Sequence, residues 1–350
     1  MSGFHKLTIN TITKETAKAI SLSFDVPQAL KDTFIFTAGQ YVTLKTIINN
    51  KEVRRDYSLC SSPNSGIIKV AIKEVKDGTF SSYANANLKT GDTIEVAAPK
   101  GRFTFTPNNK TKNIVAFAAG SGITPVLSIV KCALEDETQS KVVLVYGNKT
   151  QEDAMFLGEL KELKEKYNER LSIQFLYSQK DESNSIFGRI EKSTVNYVLN
   201  EHANIAFDAF YICGPESMIH TVKDSLIENN VSEDAINYEL FKASKPANTT
   251  EATVASSGET KITVIVDDET TTFDMSQKQT LLEAALDKDL DAPYSCQGGI
   301  CSSCLARVTE GEATMRQNNI LTESEIAEGL VLTCQAHPTT PTIVIDFDDV

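Results

Sequence analysis

The sequence predicts a multidomain chain: a small antiparallel β-barrel, then an α/β doubly wound parallel sheet, then a compact α+β domain. Three observations carry this. Residues 1–106 read as short strands broken by turns; from about residue 111 near-continuous apolar runs alternate with helical stretches; and a polar, small-residue segment then leads to a hairpin, a short helix and a loop with four cysteines. The expected divisions are 1–107, 108–243, a flexible linker at 244–260, and 261–350.

In the first third the strands include Tyr41 to Leu44, Ile67 to Ile72 and Thr93 to Val96, punctuated by Gly39, Pro63, Gly66, Gly78 and Gly91. Even spacing of short strands suits a small barrel. In the middle, Ile114 to Ala119, Val142 to Tyr146, Ile173 to Tyr177 and Ala209 to Cys213 are apolar almost throughout, with helical patterns at Phe156 to Tyr167 and Glu216 to Asn229. Strands buried on both faces and alternating with helices imply a parallel sheet. Residues 244–260 have no apolar period and are rich in Ala, Ser, Thr and Asn, the composition of a linker. Beyond it, Ile262 to Val266 and Thr270 to Met275 form the hairpin, and Leu281 to Leu286 the helix.

Composition narrows the function classes. Hydrophobic residues make up 41% and charged residues 23% of the 350, ordinary for a globular chain. No apolar run is long enough to cross a bilayer, and Met1 to Glu15 has no apolar core of a signal peptide, so a cytoplasmic location is expected. Seven cysteines in such a chain suggest metal or redox chemistry before structural disulfides. The net charge of −13 is unevenly spread: 15 basic against 9 acidic residues in 1–110, 14 against 21 in 111–258, and 5 against 17 in 259–350. An acidic C-terminal third argues against nucleic acid as a partner, because phosphates need the opposite sign.

The most specific motif is Cys296-x4-Cys301-x2-Cys304, followed 29 residues later by Cys334. Two irons bridged by two sulfides need four anionic ligands, and three can come from one loop only if it wraps tightly. Gly298 and Gly299 are expected to supply positive φ, letting N–H groups point at the sulfides. Structural zinc and a disulfide pair are the alternatives; zinc sites generally come as two CxxC-like halves. The spacing is that of plant-type [2Fe-2S] ferredoxins, which residues 261–349 resemble throughout. That resemblance implies a β-grasp domain with Cys296, Cys301, Cys304 and Cys334 as ligands. Cys60 and Cys132 read as small hydrophobes.

Gly120-Ser121-Gly122-Ile123-Thr124-Pro125 follows the strand Asn113 to Ala119 and precedes a helix expected near Val126. Glycines here allow close backbone approach to a pyrophosphate, and the helix N-terminus supplies donors. The third glycine of the common fingerprint is lacking. Cys213-Gly214-Pro215 ends a second strand at the edge where open α/β sheets place ligands. Upstream lie Arg55-Asp56-Tyr57-Ser58 and Gly78-Thr79-Phe80-Ser81-Ser82.

Taken in order, an RxYS strand, a GxxS turn, GSGITP and CGP resemble the ferredoxin–NADP⁺ reductase superfamily. The resemblance implies FAD in the barrel: Arg55 neutralising a phosphate, Tyr57 packing on the flavin, Ser58 near N5, and Gly78, Phe80, Ser81 and Ser82 at the second phosphate. It implies a nicotinamide dinucleotide in the α/β domain, with the glycine turn Gly120, Ser121 and Gly122 holding its phosphates, Thr124 and Cys213 flanking the nicotinamide, and Pro125, Gly214 and Pro215 also binding the dinucleotide. Glu239-Leu240-Phe241 would place an acid and an aromatic beside the flavin, or is simply a closing strand. Ser58, Cys213 and Glu239 are the expected catalytic residues. No acid follows Val142 to Tyr146, whereas Lys149, Ser178, Lys180 and Arg189 can meet a 2′-phosphate, so the reading favours NADPH and leaves NADH open.

Barrel, nucleotide domain and C-terminal ferredoxin, in that order, resemble the reductase components of phenylacetyl-CoA epoxidase systems and of other oxygenases. The implied path is NAD(P)H to FAD to [2Fe-2S] to a separate oxygenase. The four histidines form no metal pattern, and paired Glu-x-x-His helices of a diiron oxygenase are missing, so oxygen chemistry would lie on another polypeptide. A different oxygenase, a small redox protein as acceptor, or a redox-sensing role are the competing readings. The acidic ferredoxin domain is expected to dock electrostatically on the basic barrel, its linker reaching about 22 Å.

Overall fold

The computed structural model describes residues 3–107, 112–136, 139–241 and 258–350. Residues 4–241 form one compact unit and residues 258–350 belong to a second. Most of the expected linker, residues 244–257, lies outside the described residues.

The first unit opens with β1 (Phe4–Thr16), β2 (Ala19–Asp25), β3 (Tyr41–Ile48), β4 (Lys51–Ser58), β5 (Ile68–Lys73), α1 (Thr79–Asn87) and β6 (Thr93–Ala97). The six strands are antiparallel in the order β4-β3-β6-β1-β2-β5. A bridge between Leu59 and Val70 brings the two end strands together, closing the barrel. Alternate residues point inward: Leu7 and Ile9, Leu22 and Phe24, Val42 and Leu44, Val70 and Ile72 are buried, as the period of two requires. The Gly78 motif was expected as a turn. It is instead the N-cap of α1, whose Phe80 and Ala84 are buried against the barrel.

The chain continues with β7 (Ile114–Ala119), α2 (Ile123–Asp136), β8 (Val142–Asn148), α3 (Leu157–Lys166), β9 (Leu171–Tyr177), β10 (Ile186–Phe187), α4 (Lys192–Glu201), β11 (Ala209–Gly214), α5 (Glu216–Glu228) and β12 (Ile236–Leu240). The sheet is parallel, in the order β10-β9-β8-β7-β11-β12. From β7 the chain steps outward to β8, β9 and β10, then returns to β11 on the other side. That reversal makes a topological switch point at the carboxyl ends of β7 and β11. Helix α2 starts at Ile123, three residues earlier than expected, because Gly120–Gly122 already winds as a 3₁₀ turn. Every residue from Ile123 to Leu134 is buried, since the helix is covered by the sheet on one side and by barrel residues on the other.

The second unit contains β13 (Glu259–Val266), β14 (Glu269–Ser276), α6 (Leu281–Leu286), β15 (Leu305–Glu310), β16 (Ala313–Met315), α7 (Glu323–Ala327), β17 (Leu330–Leu332), β18 (Ala336–Pro338) and β19 (Thr342–Asp346). A mixed sheet runs β14-β13-β19-β15-β17, with β13 and β19 parallel and the remaining pairs antiparallel. Thr280 and Glu283 form a reciprocal capping box that starts α6. Its Leu281 and Ala285 join Ile262, Val264, Leu332, Ile343 and Ile345 in the core. Glu259 and Thr260, expected in the linker, belong to β13: they pair with Ser276 and Met275, and the Thr260 hydroxyl donates to Thr340 O at 2.7 Å. Among the described residues no helix is long and apolar enough to cross a membrane.

Candidate functional site

Ser58 closes β4, and in the first unit its hydroxyl donates to Glu239 Oε2 at 3.4 Å across 181 residues of sequence. Glu239 stands opposite Cys213 in the parallel pair β11/β12. Strand order puts Cys213 beside Glu239, and packing of the barrel on the parallel sheet brings Ser58 to them. As a residue Glu239 is only half-buried, but its carboxyl is set deep in the protein. Burial, then the neighbouring Asp56 charge, push it up to about 8, opposed by the Ser58 hydrogen bond. The fully buried Cys213 thiol is pushed well above its usual range, by burial first and by Glu239 second. A carboxyl that is protonated at neutral pH and bonded to a hydroxyl can hold a proton at Ser58 Oγ.

The glycine turn sits against this group. A Cβ on Gly122 would fall 2.1 Å from Cys213 O, so only glycine lets α2 approach the end of β11 this closely. The Thr124 hydroxyl donates to Ser121 O at 3.0 Å, and Tyr146 Oη to Gly120 O at 3.2 Å. The turn is thus held from both sides before any ligand arrives, with Gly120, Ser121, Pro125, Gly214 and Pro215 at the two strand ends flanking the switch point. Sequence reasoning missed Lys73. Its Nζ lies 3.6 Å from where a Gly120 Cβ would be, and burial lowers its pKa. The pattern contained a signal for it: Ile68, Val70 and Ile72 face inward along β5, so Lys73 must face out.

On the barrel, Arg55 is exposed while the Tyr57 and Phe80 rings lie 5.5 Å apart at 43°. Ser81 is occupied locally, accepting from Val75 N at 3.2 Å and donating to Gly78 O at 3.4 Å, and Ser82 donates to Glu74 at 3.3 Å. Their hydroxyls shape the loop before α1, leaving the first N–H groups of that helix as the donors available to a phosphate. Phe241 follows β12 and is 39% exposed.

Lys149 and Ser178 end neighbouring strands, with Ser178 N donating to Asn148 O at 3.0 Å, and Arg189 follows the short edge strand β10. All three share the carboxyl edge of the sheet. Lys180 lies nearby and pairs with Glu152 at 3.1 Å and Glu182 at 2.6 Å.

In the second unit the four cysteines fall into two pairs. Cys301 Sγ lies 3.0 Å from Cys296 Sγ, and Cys304 and Cys334 share a hydrogen bond. Among the described residues no group of three or more such ligands converges on one point. Two pairs suit two irons with two thiolates each, whereas one tetrahedral zinc would draw four sulfurs together. Gly298 N donates to Cys296 Sγ at 3.3 Å. The Cys301 hydrogen bond, with N–H groups of Gly298, Ile300 and Cys301, lowers Cys296 to about 6 against the opposing effect of burial. The expected backbone differs in one respect: Gln297 (φ 51°) and Gly299 (φ 69°) take the left-handed conformation, and Gly298 does not. The Ser295 hydroxyl is buried without a partner among the described residues, a donor left over beside the cysteine loop. Donors aimed at sulfur, a spare hydroxyl and paired thiols fit a [2Fe-2S] cluster.

Comparison with known proteins agrees with this layout. The model for an oxidoreductase FAD-binding domain matches residues 6–105, that for an oxidoreductase NAD-binding domain 117–224, and that for a 2Fe-2S iron-sulfur cluster binding domain 264–339. A component of the 1,2-phenylacetyl-CoA epoxidase from Escherichia coli (strain K12) is 36% identical, covering 99% of both chains. The ferredoxin reductase component of 3-ketosteroid-9-alpha-monooxygenase from Rhodococcus rhodochrous is 35% identical, covering 97% of this chain and 96% of its own. Among solved structures, phthalate dioxygenase reductase shares the fold with a TM-score of 0.61 at 23% identity, covering 99% of this chain and 98% of its own. FAD, a nicotinamide dinucleotide and a [2Fe-2S] cluster are thus the cofactors of this NAD(P)H-dependent oxidoreductase. With full-length relatives that are components of oxygenase systems, the chain belongs to the ferredoxin–NADP⁺ reductase superfamily, in the branch that ends in a plant-type ferredoxin domain and serves oxygenases.

Proposed function

We propose that this chain is the reductase component of a phenylacetyl-CoA epoxidase system, acting in the cytoplasm and delivering electrons from NADPH to an oxygenase on a separate polypeptide. The observation that carries it is the 36% identity to the epoxidase component over 99% of both chains. The 35% identity to a ketosteroid monooxygenase reductase supports a second reading, in which another oxygenase is served.

Within that reading each residue has a task. Arg55, Tyr57 and the first turn of α1, with Gly78, Phe80, Ser81 and Ser82 shaping it, hold FAD. Gly120, Ser121, Gly122, Thr124 and Pro125 with Gly214, Pro215 and Lys73 seat the dinucleotide at the switch point. Lys149, Ser178 and Arg189 face its adenosine end and favour a 2′-phosphate. Ser58 and Glu239 keep a proton at the flavin edge, Cys213 excludes water from it, and Phe241 covers it. Cys296, Cys301, Cys304 and Cys334 hold the cluster. Flavin supplies the one conversion the chain's own side chains cannot make, from a two-electron hydride donor to a one-electron acceptor.

Mixing the purified protein with the oxygenase polypeptides of a phenylacetyl-CoA epoxidase and NADPH tests this. Coupled epoxide formation is the expected result. Ready reduction of cytochrome c with no epoxide, but with turnover of a steroid or aromatic-ring oxygenase, would move the assignment to the second reading.

A further inference from the structure

Helix α2 does more than begin at the glycine turn. Its residues Ser128, Lys131 and Glu135 share one helical face by their spacing, with Asp136 at the margin of that face. That face grips the segment that follows Ser58. Ser128 Oγ donates to Ser61 O at 2.7 Å and Lys131 Nζ to Cys60 O at 3.0 Å, while Glu135 and Asp136 accept from the Ser62 and Asn64 side chains. Ser128 is fully buried and Lys131 is 8% exposed. The ammonium is paired with Glu159 of α3; Glu159 also faces Lys69 of β5 at 3.9 Å, which faces Glu15 of β1 at 3.9 Å. Glu15 in turn accepts from Ser21 of β2 at 2.6 Å.

A chain of alternating charges therefore runs from the helix through α3 into three barrel strands. Partly buried ion pairs of this kind contribute little net stability compared with apolar groups of equal size. What they do set is geometry, because each partner must sit where the other can reach it. Here the geometry at stake is specific. One end of α2 is the glycine turn packed on Cys213 O. About 12 Å along the same helix, Lys131 holds the carbonyl two residues beyond Ser58.

We propose that Lys131, assisted by Ser128, is a positioning residue that fixes the flavin-side segment 58–62 against the dinucleotide helix, so that the nicotinamide bound at the turn lies flat on the flavin held at Ser58. The inference rests on the hydride-transfer reading above. Lys131 touches neither reacting group and acts through the backbone of Cys60.

The test is Lys131→Met in the full-length, cofactor-loaded protein, mixed anaerobically with NADPH. Two signals are read: the flavin reduction rate at saturating NADPH, and the long-wavelength charge-transfer absorbance that reports nicotinamide–flavin stacking. A misplacement of about 1 Å can cost up to about a hundredfold. A slowing of at least roughly tenfold is expected, with the absorbance weakened, the dissociation constant for NADPH within about twofold, and partial recovery in Lys131→Arg. Wild-type rate and absorbance in Lys131→Met, with only a lowered melting temperature, overturn the proposal. So does a loss explained entirely by weaker NADPH binding. Should Lys131→Met lose its flavin, Ser128→Ala deletes a single hydroxyl and is read by the same two signals, with a smaller change in the same direction expected. A wild-type flavin that neither NADPH nor NADH reduces would instead overturn the underlying hydride reading.

Discussion

The two units solve the same problem, holding a redox group, in opposite ways. In residues 258–350 three of the four thiols come from a single nine-residue loop, and only Cys334 must be brought from a distance. In residues 4–241 the site is assembled from β4, β5, the β7–α2 turn, β11 and β12, so that Ser58 and Glu239 meet across 181 positions. The first arrangement depends on loop conformation; the second depends on strand order and on how closely α2 packs. A site built by a loop should fail locally when damaged, and one built by packing should fail together with its surroundings.

The largest expected effect tests the local case. Cys301→Ser should remove the cluster's visible and EPR signals and cut cytochrome c reduction by at least about a hundredfold, beyond what partners of metal ligands usually cost. Flavin content and NADPH-dependent ferricyanide reduction should persist. A mutant that also lost its flavin would break the contrast between the units.

Gly122→Ala tests the packed case. The added methyl meets the backbone oxygen of Cys213 at 2.1 Å, which no rotamer change relieves. Overpacking of this kind costs about 1–3 kcal/mol, so a lower melting temperature and a raised KM for NADPH should appear together. An unchanged KM would show that the turn and β11 can separate without consequence for the dinucleotide.

Glu239→Gln gives a smaller effect with a definite sign. The folded carboxyl keeps its proton up to about 8, while an ordinary glutamate ionises near 4.5. Between those values the folded state binds more protons than the unfolded one, so this residue's contribution makes the protein less stable as pH rises, levelling off above about 8. Thermal melts from pH 5 to 9 should show the variant gaining on the wild type across that window, at about 2–4 °C per kcal/mol. The alkaline limb of flavin reduction that reports this acid should vanish in the variant. Parallel melting curves would place the ionisation elsewhere.

The smallest effect concerns the charges of the two units. With 5 basic and 17 acidic residues in 259–350 against 15 and 9 in 1–110, flavin-to-cluster transfer should slow a few-fold as salt shortens the screening length below about 10 Å. Stopped-flow rates that ignore ionic strength would remove electrostatic docking from the account.

Legibility followed the same division. The cysteine spacing, the hairpin and the Leu281 helix were readable because each is set within a short window, by turn chemistry or by a period of two or 3.6. The parallel sheet was readable from apolar runs such as Ile114 to Ala119. The helix after Gly78 was not, since Thr79 to Asn87 buries few apolar side chains, chiefly Phe80 and Ala84, and reads as polar loop. The ion pair of Lys180 with Glu152 was not legible either, because nothing in the lysine's neighbourhood of sequence announces a partner 28 positions earlier.

By itself, then, the amino-acid order determined the three architectures, the spacing of the four C-terminal cysteines and the two glycine-containing strand ends, since local sterics and side-chain periodicity act over a few residues. Only the tertiary structure decided that Gly122 must lack a side chain, that Lys73 borders the glycine turn, that the Glu239 carboxyl backs Ser58, and that a buried lysine ties the two lobes of the first unit. Those depend on which strands become neighbours and how tightly they pack, and such distances leave no periodic mark along the chain.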